Sequence, residues 1–300
     1  MNMPSTKTII WAVDVFAEPD VQSRMLEALR LWTKGLPFSI QPTYVFGPHL
    51  YWPAVKEEGA VDRDLMARFS RFGMGMSQPL AALKVLRAKD STLRERANAL
   101  LEHAAAEKAD AIAMTTRAKK GLSRWAFGSL TETLTLSSSL PLLTLNPEAP
   151  RLDRLDSVLF PTDLSAESDQ ALMKVIDESI RRDLKLTIAY YSQFDQSHSA
   201  AAYGPASGYD DAQAGYLRKK RDQLSQKVKI AETRGLKAEG ILVEGKLDVA
   251  EAILETAAER GADLIAMVSH CGPIVAAMGG SVTRRVVRAA LCPVLVFHLV

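Results

Sequence analysis

Short apolar runs, several rich in β-branched residues, alternate along the chain with longer stretches whose apolar positions recur every three or four residues. Thr8–Val13, Ser39–Phe46, Ala81–Ala88, Ala111–Thr115 and Leu142–Leu145 have the composition of strands buried in a parallel sheet. Val21, Met25, Leu26, Leu29 and Trp32 mark one face of a helix over Glu18–Trp32. Leu93, Ala97, Leu100, Leu101 and Ala104 mark another over Leu93–Glu107, with Asp90 or Ser91 as the expected cap. A second series follows, with strands at Ser157–Pro161, Lys185–Tyr191, Lys237–Glu244, Leu264–Val268 and from Pro293 onward. Its helices are expected at Ala166–Arg182, capped by Ser165, at Leu217–Arg234 and at Val249–Arg260. Two stretches fit neither period. Gly47–Pro79 is irregular, with a helix expected only over Asp62–Phe72, and Ser192–Ala214 reads as a loop of small residues.

The two series are copies of one another. Ala109-Asp110-Ala111-Ile112-Ala113-Met114 recurs as Ala262-Asp263-Leu264-Ile265-Ala266-Met267, and Gly128-Ser129 recurs as Gly280-Ser281. In each copy a proline, Pro141 or Pro293, opens the last strand thirteen residues after that glycine. The strand ending at Asp14 matches the one ending at Asp163. Landmarks shared in one order at this spacing indicate a duplicated domain rather than a solenoid, whose period is about 20–50 residues. Alternation of strands and helices then gives an α/β fold of two tandem domains. Each is expected to be a Rossmann-like five-stranded parallel open sheet flanked by helices. The boundaries fall at 1–148 and 155–300, with a linker at 149–154 inside the polar, proline-bearing segment Asn146–Asp156. In such sheets ligands bind beyond the carboxyl ends of the strands. Asp14, Asp163 and the loops after Thr115 and Val268 fall at that edge.

Composition narrows the functional classes. Among 300 residues, 37 lysines and arginines nearly balance 35 aspartates and glutamates, a formal net charge of +2 that gives no argument for nucleic acid as a partner. No apolar run approaches the length of a membrane span, and the N-terminal residues lack the pattern of a signal peptide. Two cysteines cannot build a disulfide framework, so a cytoplasmic location is expected. No Gly-x-Ser-x-Gly elbow or Gly-x-x-x-x-Gly-Lys-Ser/Thr loop is present, and none of the five histidines stands in a recognisable pairing with a nucleophile. No catalytic residue is therefore assigned. His270, Cys271, Cys292 and His298 lack the spacing of a structural metal site, so no metal is assigned either.

An opening strand ending in Asp163-Leu164-Ser165, the Val243-Glu244-Gly245 segment, the Ala-Asp-Leu-Ile-Ala-Met strand, Gly-Ser opening a helix and Cys-Pro-Val-Leu-Val-Phe at the end resemble the universal stress protein family. The resemblance covers nearly the whole chain as two tandem domains of the adenine nucleotide alpha hydrolase-like fold. Nucleotide-binding members carry Gly-x-x-Gly-x9-Gly-Ser/Thr, whose glycines let backbone approach the phosphates. Here the first copy has Thr115 and Ala118 at the first two glycine positions and keeps only Gly128-Ser129, which implies a degenerate site. The second copy has Val268 at the first position, Cys271 or Gly272 at the second, and keeps Gly279, Gly280 and Ser281. If ATP binds, the resemblance places Gly272, Gly280 and Ser281 near the phosphates and Asp163 near the ribose or adenine. Val243, Gly279 and Val282 complete the implied set.

Three functional readings remain open at this level. One is a non-catalytic stress-response regulator that binds ATP or another adenine nucleotide in its second domain and acts through protein partners. Another is a nucleotide-free scaffold or small-molecule binder that uses the Gly47–Pro79 insert. The third is an ATP-dependent enzyme on the related nucleotide-binding fold, at most a weak ATP hydrolase, which needs a catalytic base or metal ligand near Asp163. Ordinary structural roles compete for several residues: tight helix–sheet packing for Gly279-Gly280, helix caps for Asp14 and Asp163, a solvated helix face for Arg284, Arg285 and Arg288, and surface charge for Lys219, Lys220 and Arg221. Tyr44, Phe46, Tyr51 and Trp52 read as core or domain contact. The apolar fifth strands, Leu142–Leu145 and Val294–Phe297, are expected to pair within the chain as a pseudo-dimer, since unpaired edges invite pairing. A homodimer of such chains also stays open.

Overall fold

Among the described residues ten strands join in one sheet, because the last strand of each half pairs with the other. The computed structural model describes residues 6–47, 59–73, 81–116, 130–192, 207–245, 248–270 and 281–299. The first half supplies β1 (Lys7–Ala12), α1 (Pro19–Thr33), β2 (Phe38–Phe46), α2 (Ala60–Ser70), β3 (Lys84–Arg87), α3 (Leu93–Ala106), β4 (Ala111–Thr115), α4 (Leu130–Ser137) and β5 (Leu142–Leu145). The second supplies β6 (Ser157–Thr162), α5 (Ala166–Arg182), β7 (Lys185–Tyr191), α6 (Ser207–Thr233), β8 (Ala238–Val243), α7 (Val249–Arg260), β9 (Leu264–His270), α8 (Ser281–Ala289) and β10 (Val294–Leu299). The spatial order is β3-β2-β1-β4-β5-β10-β9-β6-β7-β8, so the two halves share one strand order. Pairing is parallel within each half. At the junction it is antiparallel, with Val294, Leu295 and Val296 opposite Thr144, Leu143 and Leu142. The expected intrachain pairing of the fifth strands is therefore present.

The period of two along each strand sends alternate side chains to opposite faces. Ile9 and Trp11 of β1, Phe160 of β6, and Leu295 of β10 join one core layer with α1, α2, α5 and α6. Ile10, Leu159, Val294 and Val296 join the other with α3, α4, α7 and α8. Both layers run without interruption across the two halves. The described part of the Gly47–Pro79 insert belongs to this core: α2 and the 3₁₀ turn Arg71–Gly73 bury Leu65, Phe69 and Phe72. The rest of that insert, with Tyr51 and Trp52, lies outside the described residues.

The junction is held by reciprocal caps as well as by strand pairing. Asn146 and His298 follow matching positions of β5 and β10. Asn146 Nδ2 donates to the Arg288 carbonyl in the last turn of α8 at 2.8 Å. His298 Nε2 lies 2.9 Å from the Thr135 carbonyl in the last turns of α4, and Ser269 Oγ donates to the same oxygen at 3.0 Å. Each half thus satisfies carbonyls that the other half's helix leaves without an intrahelical donor. On the opposite face, the Arg182 guanidinium of α5 stacks over Trp32 of α1 at 4.7 Å and donates to its carbonyl at 2.5 Å. The Asn146–Asp156 segment is strapped down rather than free: Ala149 is fully buried, Arg24 donates to its carbonyl, and Arg151 pairs with Asp20 at 3.2 Å and with Glu27.

Three local expectations are corrected. The cap of α3 is Thr92, which accepts from Glu95 N at 3.2 Å, while Asp90 instead accepts from Thr92 N at 2.7 Å. The stretch expected to be a loop through Ala214 is helical from Ser207, because extending a formed helix costs little per residue once its packed end has nucleated it. Strand β9 continues to His270, beyond the expected end at Val268, since β10 pairs with it along that length. Ser165 does cap α5, accepting from Ser168 N at 3.1 Å.

Candidate functional site

The carboxyl ends of β6, β7 and β9 open into a cavity of about 520 Å³ beside the first turn of α8. It lies at the point where the strand order reverses between β6 and β9, the ordinary ligand position in an open α/β sheet. Asp163, Tyr190, Tyr216, Met267, Val282 and Thr283 are among its lining residues. Local sequence explains how each is placed. Thr162 Oγ1 accepts from Leu164 N at 3.0 Å and meets Ser168 Oγ at 2.8 Å, and Asp163 Oδ1 accepts from Ser165 N at 2.9 Å. These bonds hold Leu164 at a φ of 62°, a conformation disfavoured for a residue with a side chain. The turn presents Asp163 at the mouth. Asp163 therefore forms a turn of its own and does not cap α5. Asp14 behaves likewise at the end of β1, accepting from Phe16 N at 3.1 Å.

On the far wall, α6 lies close against β8 because Gly240 has no side chain: a Cβ there would come within 2.9 Å of Leu224 and Val228. That approach brings Tyr216 to Tyr190, with their hydroxyl oxygens 2.6 Å apart. The Lys220 ammonium stands 5.0 Å from the Tyr190 ring and 5.6 Å from the Tyr216 ring, within cation–π range. Burial first, then Tyr216 and Asp163, push the Tyr190 phenol well above its ordinary range. Burial pushes the neighbouring Tyr191 up to about 12. Both are therefore neutral near pH 7, and they offer an aromatic surface with hydroxyl donors and acceptors at one end. Thr283 Oγ1 donates to the Val268 carbonyl at 3.2 Å, tying the first turn of α8 to the end of β9.

Of the residues assigned from sequence, Asp163 and Val282 line this cavity. Ser281 opens α8. Val243 stands at the end of β8 opposite Tyr191, its carbonyl accepting from Ser192 N at 2.8 Å, and is not among the described lining residues. Gly272, Gly279 and Gly280, with Cys271, lie outside the described residues, as do Ala118 and Gly128-Ser129 of the first copy. Sequence reasoning passed over Tyr190 and Tyr216 and read Lys220 as surface charge. A legible signal existed for Tyr190, which is at the carboxyl end of an expected strand. None existed for Tyr216, which falls between the expected loop ending at Ala214 and the expected helix from Leu217, or for Lys220 on that helix.

The arginines of α8 are paired rather than merely solvated: Arg285 meets Asp248, the cap of α7, at 2.6 Å, and Arg288 meets Glu132 of the other half at 3.4 Å. Arg285, chiefly through its hydrogen bond, holds the Asp248 carboxyl below its ordinary range. Burial pushes the Cys292 thiol up to about 12. Among the described residues no group of three or more histidine, cysteine, aspartate or glutamate side chains is placed to hold a metal.

A second cavity, of about 340 Å³, occupies the matching position in the first half. Asp14, Tyr44, Arg96, Thr115, Thr116 and Thr131 are among its lining residues. Tyr44 serves both the cavity wall and the core, packing on Phe16 with ring centres 6.1 Å apart.

An open parallel sheet with a cleft at its strand-order reversal, built twice in one chain, defines a tandem doubly wound α/β protein. The sequence profile of the universal stress protein family matches residues 79–146 and 155–298. The chain belongs to the universal stress protein family. No curated protein sequence matches it. Over 98% of its length it is similar in fold to a universal stress protein from Archaeoglobus fulgidus DSM 4304, at 18% identity and a TM-score of 0.62, covering 96% of that chain. It is similar over 98% of its length to a protein described as a putative universal stress protein from Pseudomonas aeruginosa UCBPP-PA14, at 14% identity, a TM-score of 0.60 and 94% coverage of that chain. A universal stress protein from Archaeoglobus fulgidus in complex with dAMP aligns with 47% of this chain and 96% of its own, at 21% identity and a TM-score of 0.34. No helix among the described residues is long and apolar enough to cross a membrane.

Proposed function

We propose that this chain is a non-catalytic regulator of the tandem type whose second domain, 155–300, binds ATP or another adenine nucleotide in the cleft between β6 and β9. The observation that carries this reading is the 520 Å³ cavity beside the first turn of α8, with Asp163 at its mouth and the Tyr190–Tyr216 pair on its wall. That volume lies within the range of small-molecule sites, about 300–1,000 Å³. A base can stack on an aromatic face, and Asp163 suits the hydroxyls of a ribose. On the sequence pattern, Gly272, Gly279, Gly280, Ser281 and Val282 take the phosphate side, where a helix start favours an anion. Val243 stays in the set by resemblance alone. The first domain, 1–148, is joined to the second through 149–154. Binding would act on protein partners in the cytoplasm through contacts that change with occupancy, with ATP turnover no faster than a slow background hydrolysis.

Calorimetric titration with ATP tests the reading. Saturable heat is expected with the unaltered chain, and its loss is expected in Gly280→Val and in Asp163→Ala. Absence of heat with the unaltered chain would favour the nucleotide-free scaffold. Turnover far above background, with phosphate release tracked in parallel, would make the protein an enzyme instead.

A further inference from the structure

Both cavities are lined by carboxylates, Asp14 and Glu18 in the first half and Asp163 in the second, but only the first has an arginine among its described lining residues. Arg96, near the N-terminal end of α3, lines the first-half cavity. The matching residue of α7 is Val249, which lines the second-half cavity with an apolar side chain. No lysine or arginine is among the described residues lining the second-half cavity. Arg96 Nε is sealed from solvent without a hydrogen-bond acceptor, and its guanidinium makes no ion pair among the described residues. Other arginines that line or approach the core are engaged, as Arg182 is with Glu178 and Trp32. A partly desolvated guanidinium with free donors is costly to keep unless something supplies the acceptor.

The surroundings say what that acceptor is. Thr116 lines the same cavity, is 5% exposed, and its hydroxyl has no hydrogen-bond partner among the described residues. Thr115 and Thr131 add two further hydroxyls, and Tyr44, Val45 and Met114 add apolar wall. Asp14 and Glu18 border the cavity from the β1–α1 side, so a second negative group is disfavoured there while a hydroxyl or amino donor is accepted. At about 340 Å³ the space is close to the lower limit for ligand sites. We propose that the first-half cavity binds a small organic oxyanion, a carboxylate or a phosphate monoester on a compact and largely apolar body. Its anionic oxygens take the fork of Arg96 and the hydroxyl of Thr116. This site does not rest on the nucleotide reading of the second domain. It would give one chain two clefts of different ligand chemistry.

The test uses the full chain with benzoate, phenyl phosphate and inorganic phosphate as probes, followed by calorimetry and by the Arg96 Nε–H resonance in arginine-labelled protein. Saturable binding of benzoate or phenyl phosphate is expected, with a shift of that resonance; which of the two binds tighter separates a carboxylate ligand from a phosphate one. Arg96→Gln is expected to weaken binding by about tenfold or more, the usual consequence of losing a charge-assisted fork. Arg96→Lys, which keeps the charge and the stem, is expected to fall between, and it serves as the working variant if the glutamine form melts early. Asp163→Ala should leave these probes unaffected, and Arg96→Gln should leave an ATP titration unaffected. Binding that survives Arg96→Gln, or that is lost in Asp163→Ala, overturns the assignment. So does the absence of saturable binding of all three probes at millimolar concentration.

Discussion

Leu295→Ala is expected to destabilise both halves of the protein together, by about 2–5 kcal/mol, the usual range for truncating a buried leucine. Leu295 is 2% exposed and faces Leu143, itself 1% exposed, across the antiparallel junction. Both belong to a core layer that includes Trp11 and Met25 of the first half and Phe160 and Val175 of the second. A cavity left there loosens packing on both sides of the junction at once. The chain carries a convenient reporter, because all four tryptophans, Trp11, Trp32, Trp52 and Trp125, lie in the first half. In urea, tryptophan emission should therefore shift to a lower midpoint in Leu295→Ala although the substitution is in the second half. Far-ultraviolet circular dichroism should move with it in a single transition. An unchanged emission midpoint with a displaced dichroism curve would mean that the halves unfold independently, and the continuous core would then not couple them.

The second large effect concerns His298. Its two ring nitrogens face two carbonyls of the other half, Leu140 at 2.8 Å and Thr135 at 2.9 Å. Replacing it with leucine removes a donor from that junction and is expected to cost roughly 1–3 kcal/mol, the range for a buried polar group losing its partner. The pH dependence carries a sharper signature. Burial, with a smaller contribution from Lys174, holds His298 below the ordinary histidine value of 6.5, while the two carbonyls pull it upward. The unfolded chain therefore takes up a proton at a higher pH than the folded chain does. Stability from this source is intact above about pH 6.5 and is lost as the pH falls toward the lower, folded-state value. His298→Asn, which places the side chain of the matching residue Asn146 at this position, should remove that part of the slope. Urea midpoints at pH 7.5, 6.5 and 5.5 give the comparison. His103 is also lowered by burial and titrates in both proteins, so the difference between the two curves is the quantity to read. Parallel curves would show that His298 is not the group responsible.

For the two clefts, an arginine in the described lining of one and not of the other bears on how a tandem protein could be used. Two homologous domains fused in one chain are free to diverge in ligand while remaining mechanically joined. The junction supplies the contacts for such coupling: the last turn of α4 and the end of β10 meet through Thr135 and His298, and Arg288 of α8 meets Glu132 of α4. Helices α4 and α8 belong to the same core layer, and the cavity linings include Thr131 at the first turn of α4 and Thr283 at the first turn of α8. A ligand that moved either helix would load this contact.

Much of this architecture was legible in the amino-acid sequence. Apolar runs of strand length alternating with helical periods specified a parallel α/β sheet, because a strand covered by helices on both faces must be apolar throughout. The recurrence of Ala-Asp-Ala/Leu-Ile-Ala-Met and of Gly-Ser before a proline-led strand specified the duplication, and the apolar fifth strands specified an edge that had to be covered. Asp163 was placed at the cleft edge by its position at a strand end, a local feature, and Val282 by the family resemblance. The Tyr190–Tyr216 pair, the Lys220 contact, the guanidinium of Arg96 without an ion pair among the described residues, and the reciprocal caps at Asn146 and His298 were not legible. Each depends on side chains from elements distant in sequence meeting at one point, and their meeting is set by how closely two helices approach a sheet. Gly240 admits α6 to within reach of Tyr190, and the junction turns His298 toward α4. Local pattern fixes which face of an element is buried; only packing decides which polar groups find partners there and which are left for a ligand.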